Sequence, residues 1–261
     1  MRVTGFCCTF ATQDNRKVKR YLLILAYDGT DYHGSQSQPD ARTIQGTTEQ
    51  ALSLLLRMPI ALTFAGRTDA GVHARMMPAH FDVETEIDCM ALAQKMNAIL
   101  PNDIRVTDLK HVDDALHARF SATKRTYCYY VRLTPSPFDR RFVWTTRYAL
   151  DFVRMNEAAN YLLETSDFGA FCKSHTDVKT TICRVTEAKW VQTSEDTWFF
   201  RISADRFLRN MVRAVVGTLV DVGRGRLSLE QFKQVVDSRQ RTQAGESMPA
   251  NALFLEEVSY E

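Results

Sequence analysis

Asp69 lies in the string Ala65-Gly66-Arg67-Thr68-Asp69-Ala70-Gly71-Val72-His73-Ala74, between the apolar run Ile60 to Ala65 and a second short apolar run. Gly66 and Gly71 flank it, and glycine lets a backbone turn sharply or approach a ligand closely. A carboxylate on such a turn can project into a cleft, and Arg67, two residues away, would favour its ionised form. An ionised carboxylate can act as a nucleophile or as a base. The residues alone equally describe an aspartate that caps a turn or pairs with Arg67 for structure. Tyr127 is the second candidate. It falls in Lys124 to Leu133, where Tyr127, Tyr129, Val131 and Leu133 share one face of a strand by the period of two. Its ring can stack and its hydroxyl can pass a proton, although strand tyrosines commonly pack in a core. Arg206, Arg209 and Arg213 occur at i, i+3 and i+7, so they share a helical face if the helix starts early enough. Such a stripe also describes a solvated face.

These residues need elements to hold them. From Arg20 the pattern predicts a strand at Tyr21 to Tyr27 and a helix at Thr43 to Leu56 ending before Pro59. A strand at Ile60 to Ala65 delivers the Asp69 loop, and Pro78 to Val83 forms another. Asp88 caps a helix with Leu92, Met96 and Ile99 on one face, and Pro101 stops it before a strand at Ile104 to Val112. The second half repeats the order. It has a strand at Arg125 to Leu133, a linker with Pro135 and Pro137, and a helix from Asp151. A hairpin follows, Cys183 to Gln192 and Thr197 to Ala204, turning at Thr193 to Asp196. Next come a helix from Leu208 to Val222 closed by Gly223, a helix opened by the capping box Ser228 to Gln231, and a strand near Leu253 to Val258. Both halves read as split βαβ units. The predicted fold is α+β, two ferredoxin-like halves joined into a central antiparallel sheet with a cleft between them. The division is a loose tail at 1–19, a half at 20–122 with the Asp69 loop, and a half at 123–261 with the tyrosine strand and arginine helix.

The 261 residues are enough for a substantial core. Net charge is +2, so bulk electrostatics do not announce a nucleic-acid binder, while a local patch could. Cys7, Cys8, Cys89, Cys128, Cys172 and Cys183 form no C-x-x-C pair, which suggests reduced thiols in a cytosol and argues against a zinc ribbon. The segment from Met1 to Lys19 makes a poor signal peptide because its apolar run is weak. No stretch has the run of about eighteen apolar residues that would span a membrane.

The string from Gly66 to Ala74 resembles the signature of the tRNA pseudouridine synthase A family, close to G-R-T-D-A-G-V-H-A. Other segments match in order: Tyr27 to Thr30, Gln36 to Gln45, His117 to Ala122, Arg125 to Tyr127, Phe207 to Arg213 and Ala252 to Leu255. The likeness runs from about Tyr21 to Tyr260. It implies the two-halved fold above and a tRNA pseudouridine synthase acting on uridines at positions 38 to 40 of the anticodon stem-loop, without cofactor or metal. In such a reaction the bond between ribose C1′ and uracil N1 breaks, the base turns, and C5 rejoins C1′. By position, Asp69 matches the catalytic aspartate, as nucleophile or as base for a ribose proton. Tyr127 would stack on the base and pass a proton at C5. Arg213 matches an arginine that pairs with the aspartate, and Arg67 one that helps displace the target nucleotide and holds its phosphate. Ser35 stands where the family usually has tryptophan, Ala252 where glycine is common, and Thr176 to Thr180 matches only a subset.

Two other readings fit parts of the pattern. Paired split βαβ units with aromatic strands resemble RNA-recognition modules, so a noncatalytic RNA-binding protein is one alternative, although the aromatic RNP string is missing. A metal hydrolase using Asp28, Asp31, His33, Asp69 and His73 is another, since Asp69 and His73 have i, i+4 spacing, although Gly71 between them argues against a regular helix. With so little net charge, gripping a folded tRNA would call for two chains pooling basic faces, Arg206 and Arg209 among them, so a homodimer in the cytoplasm is expected.

Overall fold

The structure, a computed structural model, describes residues 18–173 and 179–260. The expected tail therefore lies outside the described residues up to position 17, as does most of the Thr176 to Thr180 segment. Lys19 belongs to a strand instead of the tail, because it pairs in register with Val83 and its ammonium lies 3.2 Å from Glu86.

The first half runs β1 (Lys19–Tyr27), α1 (Ile44–Leu56), β2 (Thr63–Phe64), β3 (His73–Val83), α2 (Cys89–Ile99) and β4 (Ile104–Val112). The second runs β5 (Lys124–Arg132), β6 (Trp144–Thr145), α3 (Phe152–Glu164), β7 (Val185–Gln192), β8 (Thr197–Ala204), α4 (Met211–Gly223), α5 (Leu229–Ser238) and β9 (Leu253–Ser259). Helix starts follow local chemistry. The side chains of Thr43, Asp88, Asp151 and Ser228 each accept an otherwise orphaned amide of the first turn. Among the described residues no helix is long and apolar enough to cross a membrane.

Among the described residues all nine strands join one sheet, in the order β4-β1-β3-β9-β5-β8-β7, with β2 on β3 and β6 on β5. With the two-residue β6 set aside, the order within each half is fourth, first, third, second: β4-β1-β3-β2 and β9-β5-β8-β7. Most pairs are antiparallel. The joint between the halves is parallel, His73 opposite Phe254 and Ala74 opposite Leu255. One edge of β3 is fully taken by β1. The other edge is shared, its start with β9 and its later part, Ala79 and His80, with β2.

Sequence and structure differ most at β3 and β2. The expected strand at Pro78 to Val83 begins five residues earlier, at His73, and the expected strand at Ile60 to Ala65 shrinks to Thr63–Phe64. Pro78 looks like a strand breaker because it lacks an N–H. Its carbonyl accepts from Ala65 N–H at 2.8 Å, on the shared edge. The missing donor points to that same edge, between the β9 and β2 contacts, so the ladder with β1 loses nothing.

The expected helix from Leu208 starts instead at Met211. Asn210 takes a left-handed conformation, φ 66°, which ends the preceding loop and aims the helix.

Two apolar clusters fill the molecule, one per half, and they interlock at the seam. Leu255 and Val258 of β9 belong to the core of the first half, whereas Val72, beside the Asp69 loop, belongs to that of the second. Tyr127 packs against both.

Candidate active site

The Asp69 loop connects β2 to β3 and so emerges where the two halves meet. Asp69 O accepts from Val72 N–H at 3.1 Å, closing a turn that Gly71 makes with φ 76°. That positive φ is the one place in the loop where glycine is required. Val72 then anchors the turn in the core of the second half.

The carboxylate is 30% exposed and faces two guanidinium groups. Arg213 Nη1 lies 3.7 Å from Oδ2, and Arg209 Nε lies 3.8 Å from Oδ1. Arg213 is fixed by its other end. Its Nε donates to the Met248 carbonyl at 2.5 Å, and its own carbonyl accepts from Met248 N–H at 3.1 Å. One planar fork thus ties α4 to the segment entering β9 and leaves a nitrogen for Asp69, a division a lysine could not make. Arg209 is more exposed and is placed by the loop before Asn210, not by a helical face.

Tyr127 sits opposite Leu255 on β9, and Leu255 sits opposite Ala74 on β3. Tyr127 is therefore two strands, about 10 Å, from the start of β3. A bulge between Thr126 and Tyr127 breaks the ladder at this point. The ring meets Phe207 edge-on at 5.1 Å. Burial first, and then the negative charge of Asp69, push the phenol well above its ordinary range, so it stays protonated near neutrality. Tyr129, on the same face, is fully buried, and its hydroxyl has no hydrogen-bond partner among the described residues.

Asp69, Tyr127, Arg209 and Arg213 come together, whereas the sequence places Arg209 with Arg206 on a tRNA-gripping basic face. Arg67 is exposed on the same loop. Arg206 diverges. Because α4 begins only at Met211, Arg206 lies in the loop, where its backbone N–H donates to Asp205 at 2.7 Å and its charge acts on Cys183.

The five residues of the hydrolase reading do not converge. Past Asp69 the chain turns and enters β3, so His73 is a strand residue and shares no helix face with Asp69. Its ring is buried, with Nδ1 accepting from Gly29 N–H at 3.1 Å and Nε2 facing the Asn251 carbonyl at 3.0 Å. Burial lowers its pKa against the pull of Asp28, which suits a neutral ring donating through Nε2. Among the described residues no group of three or more His, Cys, Asp or Glu side chains is arranged to hold a metal ion.

Arg125 received no role from the sequence. Its guanidinium donates to the carbonyls of Ala122, Asp205, Arg119 and Ala65, joining the start of the Asp69 loop to the loop that carries Arg206 and Arg209. An arginine two residues before Tyr127 was visible, but backbone carbonyls, two of them 60 and 80 residues away, leave no sequence signal. Met248 was equally invisible, since only its backbone matters.

The sequence pattern of the family described as tRNA pseudouridine synthase matches residues 23–121 and 158–261. A tRNA pseudouridine synthase A of Bacteroides fragilis is 52% identical over 93% of this chain and 97% of its own length. One from Porphyromonas gingivalis is 48% identical over 92% of this chain and 97% of its own. One from an Exiguobacterium species is 36% identical over 94% and 99%. The chain belongs to the tRNA pseudouridine synthase family, whose members are isomerases acting on tRNA.

Proposed function

We propose that this protein converts uridine to pseudouridine at positions 38 to 40 of the tRNA anticodon stem-loop, with Asp69 as the reacting carboxylate. The observation that carries the reading is one carboxylate at the seam of two half-domains, held between Arg209 and Arg213 and overlooked by Tyr127. The reaction is an isomerisation. The N1–C1′ bond breaks, the base turns, the C5–C1′ bond forms, C5 loses its proton and N1 ends carrying one, so atoms balance without any co-reactant.

Asp69 serves either by attacking carbon or by removing a ribose proton. Both routes need it ionised and held still, which two guanidinium groups and a closed turn provide. Tyr127 keeps its proton, so it suits stacking on the base and donating a hydrogen bond better than acting as a base. Arg67 would hold the phosphate of the displaced nucleotide. Arg206 would meet the tRNA backbone, while Arg209 divides its charge between Asp69 and RNA. The working form is a cytoplasmic homodimer, because a net charge of +2 per chain offers few phosphate contacts unless two basic faces are pooled. The two halves divide at about residue 122.

Incubating the protein with an unmodified tRNA transcript and mapping pseudouridine by position tests the assignment. Product at 38 to 40 is expected. Tight binding without product would favour a noncatalytic RNA-binding protein. Sedimentation at assay concentration tests the dimer, and a monomer with full activity on whole tRNA would defeat it.

A further inference from the structure

We infer that Ser35 is a positioning residue for the Asp69 loop, acting together with Tyr27 through the backbone and side chain of Thr68. The inference rests on Asp69 being the reacting carboxylate. Ser35 is fully buried. Its N–H donates to Thr68 O at 3.1 Å, and its Oγ accepts from Thr68 N–H at 2.8 Å. Both backbone groups of the residue before Asp69 are thereby committed to one serine. Thr68 Oγ1 in turn meets the Tyr27 hydroxyl at 2.8 Å, at the buried end of β1. The next residue, Asp69, is fixed from the other side by its turn to Val72.

The clamp has a rigid base. Ser35 O accepts from Gln45 N–H at 2.9 Å in the first turn of α1, so the loop is tied to a helix as well as to β1. The approach of the two segments is close. Gly34 has φ 95°, and a Cβ there would lie 2.8 Å from Thr68 O. Only glycine allows Ser35 to reach so far. Without Oγ the buried Thr68 N–H would lose its acceptor, and an unpaired buried donor drives the backbone to move. A displacement of Asp69 relative to Arg213 and the bound nucleotide would lower the rate of the chemical step while leaving RNA contacts elsewhere intact.

Ser35→Ala, Ser35→Thr and Tyr27→Phe separate these effects. On saturating tRNA transcript, well below each variant's Tm, Ser35→Ala is expected to lose ~10- to 100-fold in kcat. Its tRNA Kd should stay within about twofold, because Ser35 is fully buried. Ser35→Thr keeps the oxygen and should restore most of kcat, and Tyr27→Phe should lose less than Ser35→Ala because the backbone clamp survives. Amide exchange followed by NMR gives a readout independent of activity. The Thr68 N–H should exchange at least about tenfold faster in Ser35→Ala, with helix α1 unchanged. Wild-type kcat in Ser35→Ala, or unchanged Thr68 exchange, would overturn the inference; so would a Ser35→Thr variant as slow as Ser35→Ala. If wild-type protein made no pseudouridine, the proposed function would fall, and Thr68 exchange would still decide whether Ser35 holds the loop.

Discussion

Replacing Asp69 with asparagine removes a charge and a reactive oxygen while keeping the shape that the turn to Val72 requires. The structural cost follows from the two ion pairs. Both are longer than a hydrogen bond, 3.7 and 3.8 Å, and both involve partly exposed groups, with Arg209 at 60% and Asp69 at 30%. Pairs of that kind contribute ~0.2–1 kcal/mol each, so Asp69→Asn should cost at most about 2 kcal/mol of stability. For a chain of this size that is a fall in Tm of no more than about 8 °C. The chemical cost is of another order. If Asp69 is the reacting carboxylate as proposed, its loss should lower turnover by at least about a thousandfold, which is over ~4 kcal/mol of transition-state stabilisation. The two effects therefore separate. Single-turnover rates on tRNA transcript, with binding by filter retention and Tm by calorimetry, should show near-zero rate, affinity within a few-fold, and a small thermal shift. Turnover above about a tenth of wild type would remove Asp69 from the chemistry. A fall in Tm much beyond about 8 °C would instead make the residue a structural pin.

Tyr127→Phe should bind tRNA normally but turn over at least about tenfold more slowly, and Tyr127→Leu should lose binding too; wild-type rates in the Phe variant would confine the residue to stacking. His80 should make stability fall in acid. Its Nδ1 accepts from Ala118 N–H, and burial, then the charges of Arg20 and His117, depress its pKa to about 4 against the opposing pull of Asp82. The unfolded chain, titrating near 6.5, binds the proton first, so stability drops as pH falls from about 6.5 to 4, by a few kcal/mol at most. Urea midpoints across that range should show the drop, and His80→Gln should flatten it. Tyr129→Phe removes a buried hydroxyl that has no partner among the described residues and should raise stability by about 1 kcal/mol, read as a higher urea midpoint; a loss of similar size would mean the hydroxyl is satisfied.

Most of the fold was legible because its signals are local. Helix caps at Thr43, Asp88, Asp151 and Ser228 sit one residue before the first helical residue, and the polar turn between Gln192 and Thr197 marks its hairpin. What failed depended on tertiary pairing. His73 to Met77 has no clean alternation and runs into Pro78, so nothing local says strand; β1 along one edge and β9 at its start make it one. Asn210 looks like an ordinary helical residue until its φ of 66° delays α4 by one turn. That delay also dissolved the expected arginine stripe.

The site shows the same division more sharply. Asp69 could be singled out because it sits in a contiguous string, Gly66 to Ala74, that a sequence displays directly, with Gly71 at φ 76° as the one glycine the turn requires. Arg213 could be matched, but its reason could not: the fork is divided between Asp69 and a backbone carbonyl 35 residues away. Ser35 is the hardest case, since in the sequence it is only a serine standing where the family usually has tryptophan. In the fold it faces inward, at 0% exposure, onto the backbone beside the carboxylate. A side chain that acts by receiving one backbone N–H leaves no constraint on its partner's identity. Such residues are invisible to spacing and become visible only when the loop they hold is seen in place.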